Sequence, residues 1–180
     1  MSQVKSNYAR QDRDKYSTPA WVTRAFLPFL RRPIGGIWEP ACGDGNMVDV
    51  LLDAGFCVSA TDISTGHDFL RIHSPPAPTG AVITNPPFLL AEEFCDHALR
   101  LMEPFGGQVA MLLRVDFDSA KTRAHLFRDC PAWSKKIVLT KRIVWFEPQT
   151  GAKGKSPSEN HAVYIWDWKH DGPPTISYAP

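Results

Sequence analysis

Short apolar runs alternate with helical stripes along this chain, and that alternation sets the architecture it predicts. Ile34 to Trp38 and Phe56 to Ala60 are runs of strand length; between them Met47, Val48, Leu51 and Leu52 recur at helical spacing, which predicts a helix over 46–54. Ala81 to Thr84 and Val109 to Leu113 read as buried strands. Between these two, Leu89, Leu90, Phe94, Ala98, Leu101 and Met102 form a core-facing helical stripe that Gly106-Gly107 ends. Helices are also expected over 19–30 and 119–128, and strands over 136–139 and 162–168, with Trp166 and Trp168 on one face of the last strand. From Asp62 to Ala81 the chain is too short for another helix-strand-helix repeat, and Ser74 to Gly80, with three prolines, reads as a loop, so a third strand is expected to be missing. Strands separated by helices imply an α/β fold, with a mostly parallel sheet covered on both faces.

Three segments at the ends of predicted strands carry candidate chemistry. The first is Glu39-Pro40-Ala41-Cys42-Gly43-Asp44-Gly45, a strand-to-helix turn in which Gly43 and Gly45 permit φ > 0 and close approach of a ligand, while the next helix offers free amides. It is neither G-x-G-x-x-G nor a Walker loop, because no Gly-Lys-Ser/Thr follows. The second is Asp62, about twenty positions on at the tip of the next strand, placed to accept hydrogen bonds from a ribose diol; a helix N-cap or turn residue would look the same. The third is Asn85-Pro86-Pro87-Phe88. Two prolines fix φ and remove two donors, so carbonyls point outward as acceptors in a stiff turn. An exocyclic amine held between the Asn85 side-chain oxygen and the Pro86 carbonyl would turn its lone pair toward an electrophile, with Phe88 stacked on the flat ring. Alone, this tetrapeptide also fits an ordinary strand-ending turn.

Together these residues resemble the S-adenosylmethionine-dependent amino-methyltransferases of the N-P-P-[YFW] type, above all the adenine-N6 enzymes that act on DNA, including phage-type ones. The resemblance covers most of the chain. It implies a Rossmann-like class I methyltransferase fold of about six to seven strands, the last antiparallel, with helices on both faces. It implies that Glu39, Pro40, Ala41, Gly43 and Gly45 bind the cofactor, that Asp62 and Ile63 meet its ribose end, and that Asp68 and Phe69 lie beside its adenine. Tyr16, Thr18 and Pro19, in Tyr16-Ser17-Thr18-Pro19, would pack over its methionine end. The catalytic residues would be Asn85, which also touches the cofactor, Pro86, Pro87 and Phe88. The segment Ser156 to His161 resembles the family's base-pocket loop, which implies substrate contacts from Ser158, Asn160 and His161. Cytosine-N4, RNA and protein-glutamine methyltransferases share the same logic, and a non-catalytic cofactor-binding module partnering an active subunit would keep the same fold. S-adenosylmethionine is the implied cofactor in each case.

Size and charge narrow the partners. At 180 residues and 43% hydrophobic content, the chain fits one domain over 1–180, with 1–15 as a flexible arm and 147–160 as a mobile substrate-side loop. That leaves no room for a separate recognition domain, so recognition is expected to be short or supplied by a protein partner. Net charge is only +1, but six basic residues from Lys135 to Lys155, Lys141 and Arg142 among them, face one acid there, and the remainder holds 14 basic and 18 acidic residues. A positive lobe of this kind suits a phosphate-facing edge, with DNA favoured and RNA possible, although a solvated lysine-rich loop would have the same composition. Trp145 and Phe146 fit stacking on nucleic acid as well as core packing. No run approaches the roughly 18 apolar residues of a membrane span, so a cytoplasmic protein is expected. Four separated cysteines and histidines without ligand spacing lead us to assign no disulfide and no metal.

Overall fold

A computed structural model describes residues 17–76, 78–145 and 159–180. The described elements are α1 (Ala20–Phe26), β1 (Gly36–Glu39), α2 (Asn46–Asp53), β2 (Val58–Ala60), β3 (Thr79–Thr84), α3 (Ala91–Met102), β4 (Gln108–Arg114), β5 (Trp133–Leu139), β6 (His161–Asp167) and β7 (Thr175–Ala179), with short 3-10 turns between several of them. Among the described residues the seven strands form one sheet in the order β2-β1-β3-β4-β6-β5-β7. All neighbours run parallel except β6, which is antiparallel to both β4 and β5.

The central strands are buried on both faces, which is why they read as continuous apolar runs. Their alternation divides two cores. Trp38, Val82, Met111, Tyr164 and Trp166 pack on one face with Phe94 and Ala98 of α3. Ile37, Ile83, Leu112, Val163 and Ile165 pack on the other with Val22 and Phe26 of α1 and Met47 and Leu51 of α2. Helix α3 buries Ala91, Phe94, Cys95, Ala98, Leu99, Leu101 and Met102; Glu92 and Glu93 stand in its first turn and Arg100 in its last, matching the helix dipole.

Several expectations change in detail. The antiparallel strand is not the final one: β7 follows it and pairs in parallel with β5. Its Thr175, Ile176 and Tyr178 are exposed, so this edge strand carries little apolar signal. The helix expected over 119–128 is instead two 3-10 turns, Phe117–Ser119 and Lys121–Leu126, pinned where Arg123 lies 4.0 Å over the Phe117 ring and bonds the Phe117 carbonyl. Leu89 and Leu90 fall in a 3-10 turn before α3 and are exposed. Between 62 and 76 there are 3-10 turns and no strand, in line with the expectation that a third strand is missing from that stretch. The expected arm over 1–15, and 147–158 of the substrate-side loop, lie outside the described residues. Among the described residues no helix is long and apolar enough to cross a membrane.

Candidate functional site

Strand order reverses at β1, with β2 on one side and β3 on the other. The carboxyl ends of these strands therefore open a crevice, the usual ligand position in such a sheet. A cleft open to solvent lies there, and its walls include Thr18, Glu39, Pro40, Ala41, Gly43, Asp62, Ile63, Asp68, Phe69, Asn85 and Pro87.

The glycine turn is bolted to the exit of β2. Thr61 N–H donates to the Glu39 carbonyl at 2.9 Å, Cys42 N–H to the Thr61 carbonyl at 3.1 Å, and Trp38 Nε1 to Thr61 Oγ1 at 2.9 Å. Gly45 N–H closes the turn on the Cys42 carbonyl at 2.8 Å. Gly43 and Gly45 have φ of 52° and 84°, and a Cβ at either would meet no protein atom within 4 Å. The glycines thus serve the left-handed backbone and keep the space in front of it open.

Asp62 is 6% exposed. Its Oδ2 accepts the Gly43 N–H at 3.0 Å and its Oδ1 the Ser64 N–H at 2.8 Å. It is both the turn cap that its position allowed and a wall of the cleft. Glu39 is buried beside it. Burial, and then the Asp62 charge, push the Glu39 carboxyl well above the usual range; the Thr84 hydroxyl opposes this weakly, outside hydrogen-bond geometry. Glu39 Oε2 is buried and has no partner in hydrogen-bond geometry among the described residues.

The amino-terminal segment folds over the glycine turn, where Ser17 Oγ donates to Asp44 Oδ2 at 2.7 Å and buried Thr18 joins the cleft wall. Asp68 caps a 3-10 turn through the Leu70 N–H, while Phe69 is buried edge-on to Trp38 at 5.1 Å. Pro19 and Gly45 are not among the lining residues and are the N-caps of α1 and α2. Tyr16 and Ser158 lie outside the described residues. Ser17, Asp44, Asn46, Met47, His67, Leu90 and Phe94 also line the cleft. Met47, Leu90 and Phe94 had read as helical core positions, and only the three-dimensional path of the chain brings them to the wall.

Beyond Asn85 the turn continues through buried Pro86 to Phe88, whose ring lies 6.1 Å from Trp145 and 5.9 Å from His161. His161 enters this cluster because β6 pairs it with Arg114 at the end of β4. Burial first, and Arg114 second, lower its pKa to about 4. The other expected substrate residues that are described make contacts of their own. Lys141 Nζ sits 4.8 Å over the Trp21 ring, and Arg142 Nε donates to Asn160 Oδ1 at 3.0 Å.

The expected positive lobe does not form as a single surface among the described residues. Lys135 lies over the Phe29 ring, and Lys136 is tied to Asp118 at 2.7 Å with 13% of its side chain exposed. These two are neighbours on a strand, so they point to opposite faces. Lys153 and Lys155 lie outside the described residues.

No protein-family model matches the chain, and no curated protein matches it by sequence. Its fold is similar to several solved structures. One is described as a class I S-adenosylmethionine-dependent methyltransferase from Listeria monocytogenes, with 16% identity, a TM-score of 0.54, and coverage of 88% of this chain and 61% of that one. A type I restriction-modification methyltransferase subunit from Streptococcus thermophilus gives 13% identity, a TM-score of 0.57, and coverage of 90% and 47%. A third, described as an RNA methyltransferase from Pyrococcus horikoshii, gives 14%, 0.55, 86% and 87%. At these identities the likeness shows the fold, that of Rossmann-like methyltransferases. The chain spans under two thirds of the first two structures.

Proposed function

We propose that this protein is an S-adenosylmethionine-dependent N-methyltransferase acting on an exocyclic amino group of a nucleic acid, with adenine N6 in DNA as the leading target. The observation that carries this reading is the meeting of Glu39 to Gly43, Asp62 and Asn85 in one cleft. The acidic lining of that cleft is Asp44, Asp62 and Asp68 with Glu39, whose burial disfavours its charge, and no Lys or Arg stands among the lining residues. Such a wall repels a phosphate-bearing nucleotide and suits a cationic nucleoside. Buried Glu39 Oε2, which lacks a partner among the described residues, adds an acceptor for a donor on the ligand.

Asp62, which accepts the Gly43 and Ser64 N–H groups and the Ser64 hydroxyl and lines the cleft, would hold a ribose diol. Asp68 and Phe69 would flank the adenine, and Thr18 the amino-acid end. When bound, S-adenosylmethionine supplies an electrophilic methyl group. Asn85 and the Pro86 carbonyl accept hydrogen bonds from the target amine and orient its lone pair, and positioning supplies much of the rate. Phe88 offers a stacking face, worth about 1–3 kcal/mol per base, against the few kcal/mol that flipping a paired base costs. A partner protein would supply sequence recognition.

Incubation with labelled S-adenosylmethionine and, in parallel, unmethylated DNA, bulk RNA or a protein extract tests the reading. Label recovered as N6-methyladenine in DNA supports it. Label in RNA, in cytosine or in protein glutamine keeps the chemistry and moves the acceptor. Absence of transfer to every acceptor overturns it.

A further inference from the structure

His161 is a polar ring in a place that an apolar one would fill at no cost. It is 2% exposed, and among the described residues neither Nδ1 nor Nε2 has a partner in hydrogen-bond geometry, the nearby Glu159 backbone falling outside it. Its ring lies 5.9 Å from Phe88 at an interplanar angle of 31° and edge-on to Trp145 at 5.3 Å. Buried imidazoles without partners are rare, because the nitrogens lose water and gain nothing in exchange. This one sits beside the aromatic platform that follows Asn85.

We propose that His161 hydrogen-bonds the ring edge of the target base stacked on Phe88, which makes it a specificity-determining residue and makes the acceptor a heteroaromatic base. The inference rests on the methyltransferase reading above. A neutral imidazole presents one N–H and one lone pair on diverging sides of the ring, so one of its nitrogens meets a donor or an acceptor on the base edge while the other points elsewhere. Its low pKa keeps it in that form at neutral pH. A glutamine side chain has no flat ring for Phe88 to support. The Phe88 and His161 rings are too close to admit another between them, since a sandwiched ring needs about 7 Å, two contacts of roughly 3.5 Å. The base therefore enters as the Phe88, Trp145 and His161 contacts part, and an imidazole nitrogen gains its partner only then.

His161→Phe keeps the ring and its packing and removes both nitrogens. On a single-stranded oligonucleotide, kcat/KM is expected to fall at least tenfold, chiefly through KM, while S-adenosylmethionine affinity by calorimetry is unchanged and the melting temperature is equal or higher. His161→Asn, which restores one donor and one acceptor, is expected to recover part of the loss and serves as the test if the Phe variant fails to fold. Wild-type kcat/KM in His161→Phe overturns the proposal. So does a parallel fall in melting temperature, cofactor affinity and activity, which marks a structural role. Transfer by the wild type to protein glutamine alone overturns it while leaving the methyltransferase reading standing. No transfer to any acceptor overturns both.

Discussion

Gly43 donates its backbone N–H to Asp62 Oδ2 at 3.0 Å, joining the turn after β1 to the tip of β2. Two motifs nineteen positions apart in sequence are thus one object. The carboxylate proposed to hold a ribose also fixes the backbone that the rest of the ligand approaches, so its removal has two effects. Asp62→Ala is expected to weaken S-adenosylmethionine binding at least tenfold, about 1.4 kcal/mol. It should also cost on the order of 1–3 kcal/mol of stability, by leaving the Gly43 and Ser64 N–H groups without their acceptor. Calorimetry and urea unfolding measure the two separately.

Glu39→Gln separates function from stability in the opposite sense. The folded pKa of Glu39 lies well above its ordinary value of 4.5 because burial and Asp62 disfavour the charge. A carboxyl raised in this way contributes stability below its unfolded pKa and loses it as pH rises through the folded value. The Gln variant is therefore expected to gain stability relative to wild type as pH rises from 4.5 into the neutral range, while binding S-adenosylmethionine more weakly. Urea midpoints at pH 4.5 and pH 8 check the sign.

His161 titrates in the other direction. Its folded pKa is lowered from 6.5 to about 4, so the stability it contributes is present above 6.5 and is lost as pH falls toward 4. The loss across that window is on the order of 3 kcal/mol. His161→Phe lacks this slope, and the difference between the two pH–stability curves is the measurement.

Lys136 tests the corrected view of the basic residues. It is paired to Asp118, which also accepts from Tyr164 Oη at 3.4 Å. Lys136→Met is expected to destabilise the fold by roughly 1–3 kcal/mol, less than the loss of a fully buried pair because both groups keep some exposure. The salt dependence of nucleic-acid binding should be unchanged. A shallower salt slope in this variant would show that the lysine reaches phosphate.

What the sequence made legible was set mostly by the backbone. Strands β1, β3, β4 and β6 are buried on both faces and announce themselves as apolar runs, and the glycine and proline turns carry their geometry in residue type. Strand β7 was missed because its outward face is exposed, and the 119–128 helix was misread because Arg123 holds that segment in 3-10 turns. At the site, strand-end residues such as Asp62 and Asn85 could be placed from the pattern. Lys136, Arg142 and Asn160 could not, because who pairs with whom is decided by side chains distant in sequence. The closeness of Trp145 and His161 to Phe88 is likewise a product of folding, since β6 carries His161 back to the end of β4.

The most direct test of the central claim compares wild type with Asn85→Ala in two readings on the same preparations, calorimetric S-adenosylmethionine affinity and methyl transfer to unmethylated DNA. The account predicts that the variant binds the cofactor within a few-fold of wild type and transfers no detectable methyl. Equal transfer by the two proteins would contradict it, because the Asn85 turn would then have no part in the chemistry.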